Sequence, residues 1–249
     1  DSWEPTRSTL HSYSNAVGAI ARAHATPHPK WWHISLKVKP TGLVTETMPL
    51  PDSGTFWLRM DLVNHQVLVE RSDGRKGSVS MQDGLTGSQF GDALLGVLEG
   101  FGVSGEYARE KFESDEPVEY SPDHAASYFA ALVSIEHNLE RHRIGLGDSI
   151  GPLQIWPHGF DIAFEWFGAG ESQLNLGFYP AGRPYFYSNP WPFDPALVEN
   201  ELPEPASWHT GDWEGSILYY DDLLATDDPA GTLLEYAKAV FAAAAPGLR

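Results

Sequence analysis

Apolar side chains recur at Leu10, Tyr13, Val17, Ile20 and Ala21, a helical spacing that predicts an amphipathic helix over residues 6–24. Pro5 suits its first turn, Arg7 and His11 lie four apart on another strip, and Pro27 and Pro29 punctuate its end. The run WWHISLKVK, residues 31–39, alternates strictly. Trp32, Ile34, Leu36 and Val38 fall on one side and Trp31, His33, Ser35 and Lys37 on the other, which predicts a half-buried strand. Two further strands are expected at 56–63 and 67–70, joined by a tight turn at Asn64-His65, and a short one at 77–81 after the Asp73-Gly74 turn. Connections this short imply antiparallel pairing.

Residues 87–101 read as a helix with Phe90, Leu94, Val97 or Leu98, and Phe101 inward; its glycines weaken it, so packing must hold it. The acidic run 113–119, ESDEPVE, reads as a solvated linker. Ser121 and Pro122 then cap and open a helix that carries Tyr128, Phe129, Leu132, Ile135 or Glu136, and Leu139, and ends in Arg141, His142 and Arg143. The densest aromatic stretch follows, with strands expected near 152–156, 160–167, 175–179 and 185–187, a long surface loop over 190–212, a strand at 214–220 and a last helix over 229–245. The pattern predicts an α+β chain of mostly antiparallel sheet packed with helices, a single compact domain over 1–249. The order helix, Trp-containing strand, hairpin strands, helix occurs twice. That repetition suggests two structurally similar halves, 1–112 and 121–249, joined by the acidic linker.

Composition narrows the partners. With 34 acidic against 16 basic side chains the net charge is −18, and no basic patch offsets it, so neither nucleic acid nor an anionic membrane is an expected partner. The absence of cysteine excludes disulfides, thiolate catalysis and cysteine-ligated metal. No apolar run reaches the roughly 18–20 residues of a membrane span, and no charged-then-apolar leader opens the chain, so the expected location is the cytoplasm. Oligomeric state and cofactor are not legible.

Familiar catalytic motifs are missing. There is no Gly-x-Ser-x-Gly elbow, no P-loop and no HExxH, and Gly168-Ala169-Gly170 reads as a turn. His137 and His142 are five apart on a helix, which splays them, and Glu140 sits where it can pair with Arg143, so no metal site is expected. The groups that could act together are Arg7, His11, His33 and Asp161, with Trp31 and His158 beside them. A carboxylate can orient an imidazole and an arginine can hold an anion, which would make an acid–base or anion-binding site; the same groups could equally form a buried polar network locking helix to sheet. Trp31, Trp156, Trp166, Tyr179, Tyr187 and Trp191 could line a stacking pocket or simply fill the core.

The motifs TRSTLHSYSNAVGAI (6–20), KWWHISL (30–36), GPLQIWPHGFDIAFEWF (151–167), GFYPAG (177–182), YFYSNPWP (185–192) and ILYYDDLLATDDP (217–229) together resemble an uncharacterised bacterial family, domain-of-unknown-function family 5996. The resemblance runs from about Thr6 to the last helix. It departs at Trp156-Pro157-His158-Gly159, where the family tends to have Phe or Trp, Gly and Ser before Phe-Asp. It implies a compact α+β domain in which the Arg/His helix, the Trp-Trp-His segment and Phe160-Asp161 belong together. Three functions fit: a small-molecule-binding domain with an aromatic, His/Arg-lined cleft; a hydrolase using His33 or His11 with Asp161; or an interaction protein that meets a partner through the 190–212 loop.

Overall fold

A computed structural model describes residues 3–51, 53–147 and 149–249. Among them are five α-helices and thirteen strands, and the pairings are antiparallel, an α+β architecture as the periodicity predicts. The chain divides into two compact units. The first takes residues up to Leu132 together with Ile155–Phe160; the second takes Val133–Gln154 and Asp161–Arg249. The acidic run 113–119 lies inside the first unit.

The first unit opens with α1, Glu4–His24, whose expected stripe of Leu10, Tyr13, Val17, Ile20 and Ala21 is buried throughout. Strands β1 (Leu36–Lys39), β2 (Gly42–Thr45), β3 (Met48–Pro49), β4 (Thr55–Asp61), β5 (Gln66–Arg71) and β6 (Lys76–Ser80) follow. They form a meander in the order β1-β2-β4-β5-β6, with β3 also on β4. On the other side of β1, Leu36 pairs with Ile155 of β7, Gln154–Trp156. Phe56, Leu58, Met60, Val67 and Val69 are sealed beneath α1 and α2, Gly87–Gly100. Thr86 and Gln89 close a capping box at the start of α2. Its interior glycines cost about 0.5–1 kcal/mol each, while burying Phe90, Leu94 and Leu98 returns roughly 1.5–3 kcal/mol apiece, so packing prevails. Gly91 also has a use: a Cβ there would lie 2.3 Å from the ring of Phe112.

The expected strand over 31–39 is half wrong. Only Leu36–Lys39 is strand; Trp31 is left-handed with φ 61° and Trp32–Ile34 form one 3-10 turn. Local bonds outcompete the ladder here. The His28 amide donates to His33 Nδ1 at 3.1 Å, and the His28 ring lies on Trp32 with centroids 4.4 Å apart. The turn after β4 is also broader than Asn64-His65, because Asp61 accepts from the amides of Val63 and Asn64.

Helix α3, Pro122–Arg143, begins in the first unit and ends in the second, and Glu140 pairs with Arg143 there. The second unit carries β8 (Asp161–Phe167), β9 (Gln173–Tyr179), β10 (Tyr185–Ser188), β11 (Pro190–Trp191), β12 (Ser207–Thr210) and β13 (Glu214–Tyr219), then α4 (Tyr220–Leu224) and α5 (Pro229–Leu248). Its order is β8-β9-β10-β13-β12, with β11 on β9. The last two strands are reversed relative to a simple meander, so the two halves do not share a strand order and the expectation of similar halves is corrected. The 190–212 stretch is less irregular than expected: it holds two short strands and a 3-10 turn at Pro195–Glu199.

Candidate functional site

Alternation in the second unit's strands separates two faces. Ile162, Phe164, Trp166, Leu174, Leu176, Phe178 and Phe186 are buried, and Trp166 meets Phe241 of α5 edge-on at 5.2 Å. The intervening positions Asp161, Glu165, Asn175, Tyr179, Tyr185 and Tyr187 stay partly exposed on the opposite face. Register sets them side by side: Tyr185 is opposite Tyr179, and Tyr187 is opposite Gly177. Gly177 in turn faces Ala163. The missing side chain at Gly177 is what lets the Tyr187 ring lie across β9, because a Cβ there would sit 2.7 Å from Tyr187 Cζ. Stretched over the glycine, the Tyr187 hydroxyl donates to Asp161 Oδ2, two strands away.

The turn after β12 adds the remaining wall. Trp213 stacks on Tyr185 with centroids 6.1 Å apart and planes 13° apart, while Tyr185 stands at 70° to Tyr187. Gly215 admits this turn, since a Cβ there would lie 2.2 Å from the Ser188 carbonyl and 2.9 Å from the Trp213 ring. Asn189 is fixed through its Nδ2, which donates to the Glu214 carbonyl at 3.0 Å. The result is an open basin of about 300 Å³ lined by Asp161, Tyr179, Tyr185, Tyr187, Asn189 and Trp213.

Burial and nearby charge keep the Tyr185 and Tyr187 phenols neutral. Burial, and then the charge of Asp161, push Tyr187 well above the ordinary phenol value; burial is the main cause for Tyr185, with Asp212 and Asp161 among the charges that add to it. Tyr187 is therefore a donor and Asp161 its acceptor. Asp212 pairs with His209 at 3.0 Å, which lowers the Asp212 carboxyl below its usual range, and the His209 ring packs on Trp213 at 4.3 Å.

The first unit holds most of the residues singled out from the sequence. Arg7 is buried and grips Glu4 Oε1 at 2.9 Å and 2.6 Å and Ser8 Oγ at 3.0 Å. Its Nη1 reaches His11 Nδ1 at 3.5 Å. A guanidinium only donates, so His11 accepts at Nδ1 and carries its proton on Nε2, which donates to the His158 carbonyl at 3.0 Å. Burial lowers the His11 pKa and favours that neutral form. The His11 ring stacks on Phe160, itself fully buried and left-handed at φ 55°. The structure thus brings Arg7, His11 and the His158 backbone together. His33 has other neighbours: it accepts from the His28 amide and stacks on Trp31, with burial the main cause of its lowered pKa. Trp31 is about half exposed beneath the Arg22 guanidinium. Asp161 belongs to the second unit, where Tyr187 is its partner.

Of the aromatic residues proposed to line a pocket, Tyr179 and Tyr187 do so, whereas Trp166 is core and Trp191 is exposed. Tyr185, Asn189 and Trp213 were missed. The alternation of Tyr185, Tyr187 and Asn189 around buried Phe186 and Ser188 carried a signal for two of them. A larger recess of about 400 Å³ between residues 190–200 and the end of α5 offers mostly proline, alanine and glycine, and its Asp194 and Asn200 bond to the local turn. Among the described residues no three His, Asp or Glu side chains gather as a metal would need, and no helix is long and apolar enough to cross a membrane.

The family model for DUF5996, a family of unknown function, matches residues 1–175 and 169–248. The chain belongs to DUF5996. No curated protein and no solved structure matches it. What this DUF5996 member does must therefore be argued from its own surfaces.

Proposed function

We propose that this DUF5996 chain is a small-molecule-binding protein whose ligand sits in the Asp161–Trp213 basin. The observation that carries the reading is the convergence of four aromatic rings, a carboxylate and an amide on one open sheet face, where a soluble fold would ordinarily place small or charged side chains. The basin's polar groups are a carboxylate and an amide rather than the histidine and arginine expected from the sequence. Catalysis is the weaker reading. Arg7, His11 and His33 are each held in internal hydrogen bonds, and the basin is lined by no serine, threonine or histidine that could serve as nucleophile or base. A net charge of −18 makes nucleic acid an unsuitable partner.

The test is a thermal-shift and tryptophan-fluorescence screen against sugars, amino acids, amines and nucleosides, run on the wild-type chain and on Trp213→Leu. Binding that is lost in Trp213→Leu supports the basin. Hits that survive unchanged in that variant place the ligand elsewhere and refute the reading.

A further inference from the structure

Three polar residues of the basin, Asp161, Tyr187 and Asn189, are engaged with the protein itself. Tyr187 donates to Asp161, the Asn189 side chain donates to the Glu214 carbonyl, and the Asn189 amide donates to Asn175 Oδ1 at 2.6 Å. A sugar needs a dense set of outward-facing donors and acceptors, and the Tyr187 hydroxyl and the Asn189 side chain are turned to the protein instead. What the basin does present is ring faces and negative charge. Tyrosine and tryptophan faces carry the negative end of the ring quadrupole, and Tyr185 and Tyr187, set at 70°, form a corner with Trp213 alongside Tyr185.

The surrounding charges point the same way. The lining holds the Asp161 carboxylate and no lysine, arginine or histidine. Glu165 lies on the same face of β8, and Asp212 on the turn that carries Trp213. The charges of Asp161 and Glu165 act on the Tyr187 phenol, and those of Asp161 and Asp212 on Tyr185, so the negative field converges on the corner. Nearby, His209 is hydrogen-bonded to Asp212, and Arg183 is paired with Asp221 and Asp222 at 2.9 Å and 2.8 Å while lying over Tyr219.

From this juxtaposition of rings and carboxylates, and resting on the binding function proposed above, we infer that the ligand class is a small methylated ammonium ion, its cationic head held against Tyr185, Tyr187 and Trp213 and balanced by Asp161. A methylated head wants no hydrogen-bond partners, which suits a site whose Tyr187 hydroxyl and Asn189 side chain already donate to the protein. A volume of about 300 Å³ accommodates such a head with a short chain extending through the open side.

The decisive comparison uses the unmodified protein and two probes of nearly the same shape: choline, and its neutral carbon isostere 3,3-dimethylbutan-1-ol. Both are titrated calorimetrically at fixed ionic strength, with methyl glucoside as a third probe. Choline is expected to bind about tenfold or more tighter than the isostere, the scale of a desolvated cation–π contact. Its affinity should fall about tenfold in Asp161→Asn and in Trp213→Leu. The wild-type comparison stands even if a variant folds poorly. Equal affinity for the two shapes, or preference for the glucoside, overturns the ammonium assignment and leaves the binding reading in place. Absence of choline binding at millimolar concentration also overturns it, and the broader screen then decides separately whether the basin binds anything.

Discussion

Gly177→Ala adds one methyl group under the Tyr187 ring, and its cost follows from the contacts. The new Cβ would stand 2.7 Å from Tyr187 Cζ, 2.8 Å from Ala163 Cβ and 2.8 Å from the Ile162 carbonyl oxygen. Two of these three neighbours are backbone or rigidly attached to it, so the ring must yield. Overpacking of this kind costs about 1–3 kcal/mol. Lifting the ring also weakens the bond to Asp161, about 1.5 kcal/mol at the low end for a charged acceptor at a partly exposed site. Replacing glycine in a strand returns roughly 0.5–1 kcal/mol of backbone entropy. The net expectation is a loss of about 2–3 kcal/mol. Urea denaturation followed by tryptophan fluorescence measures it as a lower midpoint with an unchanged slope. Repeating the substitution in a Tyr187→Phe background separates the two costs, since the hydrogen bond is already gone there and the penalty should shrink by about 1 kcal/mol or more. A stability change within about 0.5 kcal/mol of zero would show that the ring does not need the glycine, and the account of how Tyr187 reaches Asp161 would fail.

Three further expectations use the same reasoning elsewhere. Gly96→Ala in α2 meets no atom within 4 Å, so it should raise stability by about 0.5–1 kcal/mol, read from the denaturation midpoint; a loss would mean the helix is not packed as described. Thr86→Ala removes the capping box and should cost about 1 kcal/mol, with helical circular dichroism retained below the transition. His142 is buried and its pKa is lowered from 6.5 to about 4, chiefly by burial and then by Lys238. The unfolded chain therefore binds that proton more readily, so stability is full above about pH 6.5 and falls towards pH 4, by as much as about 3 kcal/mol from this residue. His11, His24 and His33 are shifted the same way. In His142→Gln the acid slope of stability should be shallower, and an unchanged slope would refute the assignment.

The helices were legible because burial at period 3.6 needs only nearby residues: each position of the α1 stripe is where the spacing put it. The strand at 31–39 was misread because alternation alone cannot weigh local competition, and the His28–His33 bond with the His28–Trp32 stack closes a turn before any partner strand is reached. Strand order was illegible for a different reason. Nothing local in β12 or β13 says that β13, not β12, pairs with β10, and so the expected likeness of the halves did not hold. The basin suffered from the same blindness. Asp161, Tyr179 and Tyr187 stood out by residue type, but Tyr185 and Trp213 become neighbours only through pairing across the sheet and a turn 28 positions later in the sequence.

The first unit borrows Ile155–Phe160 from far along the chain, and that loan bears on any attempt to dissect the protein. A fragment ending at Leu132 would lose Ile155 from the edge of β1 and Phe160 from beneath His11 and Tyr128, exposing a bare strand margin to other molecules. A fragment starting at Val133 would carry that hexapeptide with nothing to receive it. Expression of either piece alone invites self-association, and productive dissection would instead graft the six residues onto the amino-terminal piece through a new linker.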